Sequence, residues 1–254
     1  MSTLVELSNT VHKDLKLRES CLAEFAASQQ LMRLRVPEVG KAATNFPLFF
    51  SRNQQDGSWV LSALGSFEPM QNVFVEQGRW NAIYQPVSLQ TYPFYLMQSP
   101  KLENSYTIGI LETSEAFSKD SGEAIFDSAG RASMHLSKAK NLLEASIKQD
   151  IDTYRFMKET ESLGLIKPID LQLVFEDGNT QNIAGLCTID EDKLQSLTAE
   201  KMSALNDSGY LIAIHAMLLS IYQLNLLLRK HNERNTHNKI TQLKIEVAKD
   251  RVAS

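Results

Sequence analysis

The stretch SMHLSKAKNLLEASIKQDIDTYRFMKETESLGLIKPIDLQLVFEDGNTQNIAGLCTID, residues 133–190, sets a helix beside a hairpin, and its reading decides the fold class. Over 133–163 the apolar residues Leu136, Leu143, Ile147, Ile151, Tyr154 and Met157 recur at helical spacing. Residues three, four and seven apart share one face of an α-helix, so the periodicity predicts an amphipathic helix lying on a core. Gly164 and Pro168 then stop it. Leu171, Leu173 and Phe175 alternate with polar or exposed positions, which is the period of a strand with one buried face. Asp177-Gly178-Asn179 supplies a reversal, and 183–189 returns as the second strand of a hairpin. The combination predicts an α+β fold: a mostly antiparallel sheet built from hairpins, packed by a long amphipathic helix and C-terminal helices.

Towards the N-terminus, 47–50 and 59–64 are two further strands, joined by a loop that closes with Asp56-Gly57. Residues 73–75 and 106–111 are β-rich, with a turn-prone, proline-punctuated stretch between them. Towards the C-terminus the pattern turns helical over 191–194, over 199–205 behind the cap-like Thr198, and over 209–229. Ile240, Leu243 and Val247 stand at i, i+3 and i+7, a narrow stripe with basic flanks that predicts a helix in need of a partner surface. The expected organisation is one α+β domain over 1–232 and a basic helical tail over 233–254.

Composition narrows the function class. The 254 residues are 43% hydrophobic and 22% charged, which excludes a disordered, collagenous or multi-span membrane chain. Eleven glycines and seven prolines are few for a many-turned sandwich. A formal charge of −4 supplies no field to hold a polyanion, so nucleic acid is not an expected partner. Within that sum, 229–251 holds seven Lys/Arg against three acids, a basic tail on an acidic body. Cys21 and Cys187 alone suit a reducing compartment rather than a disulfide framework. The first seventeen residues lack a cationic start and an apolar run, so the expected location is the cytoplasm. Residues 210–228 carry no formal charge over nearly a membrane span, but His215, Ser220, Gln223 and Asn225 ring the helix, and lipid would leave them unsatisfied. A buried or interface helix is expected there, not a transmembrane span. That helix and the striped tail together predict self-association, a homo-oligomer.

No phosphate-binding glycine loop, dinucleotide fingerprint, nucleophile elbow or paired-histidine zinc helix is present. His12-Lys13-Asp14 has the spacing that opens an iron facial triad, with His135, His215 or His231 as the third ligand. A histidine beside a carboxylate is more commonly a surface or turn pair, and only eleven residues precede this one, so His12 and Asp14 are weak metal candidates. His231 and His237, six apart, fall on different helix faces and read as solvated tail. Glu112, Glu115, Asp120, Glu123 and Asp127 form an acidic region without the alternating ligand pattern of a calcium loop.

The segment GRWNAIYQPVSLQTYPF, residues 78–94, is the most informative for function. Pro86 and Pro93 bar a continuous helix. A proline-fixed backbone could present Arg79, Trp80, Tyr84, Tyr92 and Phe94 as a rigid surface for a ring, a peptide or a planar anion. The other reading packs these rings at the junction of sheet and helices, bonded through their polar tips.

Taken jointly, HKDL (12–15), NFPLFF (45–50), GRW (78–80) with Tyr84-Gln85-Pro86 and YPF (92–94), GEAIFDSAG (122–130), GLCTID (185–190) and the apolar helix over 209–228 resemble the SapC family of bacterial proteins. The resemblance covers nearly the whole chain. It implies a link with a bacterial surface layer, from which the family takes its name, and genes near flavin-dependent halogenase-like enzymes and TonB-dependent receptors. It carries over no catalytic residues, and Asn81 stands where the family pattern has an acid after the Arg-Trp pair. The expectation is a soluble, non-enzymatic accessory or binding protein without a cofactor, serving surface-layer or outer-membrane-uptake functions. Its partner would be a protein or a small aromatic or peptide ligand. The alternative is an enzyme or enzyme subunit, metal- or flavin-linked, acting on a small aromatic or peptide substrate beside Arg79, Trp80 and Tyr84.

Overall fold

Phe49 and Phe50 are neighbours on one strand and point to opposite faces, yet both are fully buried, so that strand is covered on both sides. It is the centre of a six-stranded sheet in a computed structural model that describes residues 3–53, 56–100 and 105–248. In chain order the strands are β1 (Leu31–Arg33), β2 (Leu48–Arg52), β3 (Trp59–Leu64), β4 (Ile166–Phe175), β5 (Thr180–Ile189) and β6 (Ile240–Val247). Their spatial order is β6-β4-β5-β2-β3-β1, antiparallel throughout. The two hairpins read from the sequence are β2–β3 and β4–β5; Gly57 and Gly178 take the positive φ their reversals need.

The chain divides into two compact units. The first takes the described residues of Met1–Ser28, Val75–Asn81 and Val87–Lys148; the second takes those of Gln29–Phe74, Ala82–Pro86 and Gln149–Ser254. The long helix Met134–Ser162 is continuous, as its periodicity predicts, and gives residues to both.

In the second unit, Phe156 from that helix packs against Phe50 and meets Tyr210 edge to face. Each such ring, fully withdrawn from water, contributes about 1.5–3 kcal/mol. The apolar run forms a helix Tyr210–Ser220, a 3-10 turn Ile221–Gln223 and a helix Leu224–Arg234. By length and composition Tyr210–Arg234 could cross a membrane, and 33% of its most apolar window is buried inside the chain. Ala213, Ile214, Met217, Leu224 and Leu227 are among its buried residues, and the Leu48 backbone N–H donates to the buried Ser220 Oγ at 3.0 Å. Ile212, Leu219 and Tyr222 remain exposed.

The tail corrects the helical expectation: Ile240–Val247 is a strand, β6, paired with β4. The cause is a β-bulge. Phe175 pairs with Ile240 and Val174 with Gln242, so Thr241 is an extra residue. Beyond it Leu173, Leu171 and Ile169 pair with Leu243, Ile245 and Val247. One face of the strand thus carries Ile240, Leu243, Ile245 and Val247, and the bulge makes the first interval three residues instead of two. That interval imitates a helical repeat. Residues 249–254 of the expected tail lie outside the described residues.

Among the described residues the first unit holds three small antiparallel sheets. Val5–Glu6, Tyr106–Ile110 and Phe94–Gln98 form one; Phe117–Ser118, Lys16–Leu17 and Glu123–Ala124 form another. The third is the hairpin Val75–Glu76 and Arg79–Trp80, turned by Gln77 and Gly78, both at positive φ as a two-residue hairpin turn requires. Its core gathers Leu17, Cys21, Phe94, Ile110, Ile125, Leu136 and Leu143.

Candidate functional site

The aromatic segment is split between the units. Arg79 is exposed and Trp80 half-buried on the Gln77-Gly78 hairpin, which lies against helix Glu19–Ala27. Tyr92 stacks on Phe25 of that helix, centroids 3.7 Å apart and rings 3° from parallel, and precedes a cis peptide to Pro93. Phe94 is a core ring, edge to face with Phe117, and presents no surface to a ligand, contrary to expectation. Tyr84 belongs to the second unit, so the five residues do not form one array within either unit.

Tyr84 instead completes a buried polar network. Its hydroxyl donates to Glu38 Oε1 at 2.7 Å, and its backbone N–H donates to Asn45 Oδ1. Glu38, only 4% exposed, also accepts from the Arg35 backbone N–H at 3.0 Å. Arg35 forks onto Asp150 through Nε at 2.9 Å and Nη2 at 3.2 Å. Burial and the hydrogen bond to Glu38 push the Tyr84 phenol far above its ordinary range, so it stays a donor. Every group in this set has a fixed partner, the condition under which buried charge is tolerated.

His12 is buried, and both ring nitrogens are engaged. Nδ1 accepts the Ser8 backbone N–H at 2.9 Å, which leaves Nε2 as the protonated nitrogen, 2.9 Å from Glu112 Oε1. Asp14 is exposed, and among the described residues no three His, Cys, Asp or Glu gather as a metal site. The His12 imidazole thus spends both ring nitrogens on pinning the turn 8–12 to Glu112. His135 lies beside Phe94, with its Nε2 buried and unbonded, and burial lowers its proton affinity. His231 is buried in the second unit, edge to face with Phe67, rather than in a solvated tail.

The turn held by His12 walls a cavity of about 560 Å³ in the first unit. That is room for a ligand of several heavy-atom groups. Helix Met134–Ser162 contributes Leu136, Lys140, Glu144 and Ile147, all on one face; the sheet contributes Leu96, Tyr106 and Ile108. Leu7, Ser8 and Asn9 come from the turn, and Phe126 and Gly130 from the loop after Glu123–Ala124. That loop is tied by its own hydrogen bonds. Asp127 Oδ1 accepts the N–H groups of Ala129 and Arg131, Asn9 Nδ2 donates to the Gly130 carbonyl at 3.2 Å, and Gly130 sits at positive φ.

The lining divides by chemistry. Leu96, Ile108, Phe126, Leu136 and Ile147 form an apolar wall, while Lys140 and Glu144, 3.7 Å apart, with Glu6 and Asn9 supply opposite charges and an amide. Such a site suits a ring or aliphatic group joined to a carboxylate or an ammonium. Sequence reasoning placed Leu136 and Ile147 on a core stripe and missed their part here. The available signal was that HKDL and GEAIFDSAG hold the turn and the loop on either side of the cavity.

The two cysteines are free and buried, one in each unit, and burial pushes the Cys187 thiol up, away from the nucleophilic thiolate. Compared with known families, residues 7–227 match the model described as SapC. No curated protein and no solved structure matches the chain.

Proposed function

The chain belongs to the SapC family, and from that premise we propose that it is a non-catalytic binding protein whose first unit takes a small aromatic or peptide ligand in the 560 Å³ cavity. The observation that carries the reading is the division of that cavity into an apolar wall and a rim of Lys140, Glu144, Glu6 and Asn9. A peptide's side chain would lie along the wall, its carboxylate towards Lys140 and its ammonium towards the acids. The bonding of His12 to Ser8 and Glu112, and of Arg35, Glu38 and Tyr84 within their own network, supports a binding role over a catalytic one: their hydrogen-bonding capacity serves the fold. Two free buried cysteines support a reducing compartment, the cytoplasm. The family name supports service to surface-layer functions, and the gene neighbourhood that the resemblance implies supports outer-membrane uptake, with the ligand-loaded protein acting through protein contacts.

Isothermal titration with free aromatic amino acids and phenylalanine-containing dipeptides tests the proposal. Saturable binding is expected, weakened about tenfold or more by Ile147→Trp, which fills the cavity from a half-buried position, and by Lys140→Glu, which inverts its cation. No binding by any of these probes, or binding indifferent to both substitutions, would overturn it.

A further inference from the structure

Strand β6 is an edge of the six-stranded sheet, and it lies beyond the residues matched by the family. The Ala248 backbone N–H donates to the Pro168 carbonyl of β4 at 3.2 Å. Peptide groups alternate in direction along a strand, so Glu246 and Lys244 also turn theirs towards β4, while Leu243, Ile245 and Val247 turn theirs outward. An edge of this kind is a template for another strand unless something blocks it. The usual blocks are a proline, a very short strand or a lone charge. β6 is eight residues long, has no proline, and its charges are Lys244 and Glu246, two residues apart.

That spacing makes the edge complementary to itself. When a second copy runs antiparallel about a two-fold axis at Ile245, the Ile245 residues stand opposite each other. Lys244 then faces the partner's Glu246, and Glu246 faces the partner's Lys244. Leu243 and Val247 meet the partner's Val247 and Leu243, on the face whose Ile245 and Val247 are 43% and 63% exposed in the single chain. Sliding the axis by one residue places lysine on lysine or glutamate on glutamate, and like charges directly opposite are unfavourable. The outward peptide groups also coincide in the Ile245-centred arrangement, since residues 243, 245 and 247 oppose 247, 245 and 243. We propose that the occupant of this edge is a second copy of the same chain, joined β6 to β6 through the Ile245-centred register into a continuous twelve-stranded sheet. The charges that would repel other strands select this one.

Light scattering on the full chain after size exclusion, across micromolar concentrations, tests the proposal. A mass of twice 28.6 kDa is expected. Ile245→Pro leaves the β4 ladder intact, because the lost N–H points outward, and is expected to give a monomer with unchanged circular dichroism. Lys244→Glu and Glu246→Lys are each expected to weaken the dimer about tenfold or more, and the double exchange to restore it. A monomer at every concentration, a dimer that survives Ile245→Pro, or a double exchange that fails to restore association would each overturn the proposal.

Discussion

Glu38→Ala removes the carboxylate at the centre of the buried network of the second unit. The substitution deletes two short hydrogen bonds, from the Tyr84 hydroxyl at 2.7 Å and from the Arg35 backbone N–H at 3.0 Å. Each leaves a donor in a site with little access to water, at about 1–3 kcal/mol per unsatisfied group. The Arg35 guanidinium is spared the worst outcome, because it keeps its fork on Asp150 and its contact to Glu38 is only 3.9 Å. The sum is about 2–6 kcal/mol, a range that brackets the cost of about 3–5 kcal/mol for removing one member of a buried ionic set. Tyr84→Phe deletes one of the same bonds and costs about 1–2 kcal/mol in the parent. In the Glu38→Ala background the bond to Glu38 is already gone, so the substitution costs less than in the parent and the coupling is about 1–2 kcal/mol. Urea unfolding in a Trp80→Phe background, followed by the fluorescence of Trp59, reads the second unit alone. A Glu38→Ala cost below about 1 kcal/mol, or a Tyr84→Phe cost equal in both backgrounds, would refute the network.

Three further outcomes follow from individual residues. His12→Ala frees the turn that carries Ser8 and Asn9, and is expected to weaken peptide binding at the cavity severalfold while the second unit's unfolding midpoint stays fixed; titration and urea unfolding check it. Gly122→Ala places a Cβ against the Leu17 carbonyl at a positive φ, and is expected to destabilise the first unit by about 2 kcal/mol or more, measured by thermal unfolding. Burial lowers the proton affinity of His135 and His231 in the folded chain, so as pH falls through about 6.5 the unfolded chain binds protons first. Stability is therefore full above that value and declines below it towards the folded-state values; the melting temperature should drop between about pH 7 and 5, and less steeply in His231→Gln.

The helix over 133–163 and the hairpins at 47–64 and 171–189 were legible because each is set by a local period and a local turn residue. The strand 240–247 was not, because a single bulge at Thr241 converts a two-residue repeat into an apparent helical one. The cavity draws on the turn at Ser8, strands near Leu96 and Ile108, the loop at Phe126 and the helix at Leu136, segments whose meeting depends on long-range pairing that no local pattern encodes. In the sequence His12 stands out for its neighbour Asp14, whereas its partner is Glu112, one hundred residues away. Arg35 and Glu38 left a usable trace, two charges inside the apolar run LRVPEV, where solvation alone would not place them.

The binding role of the first unit is tested most directly by methyl-resolved NMR of the full chain titrated with the tightest-binding dipeptide. Methyl signals of Leu96, Ile108, Leu136 and Ile147 are expected to shift together and saturate, while those of Leu61 and Leu227 in the second unit stay in place. Shifts confined to residues away from the cavity, or none at saturating peptide, would contradict the account.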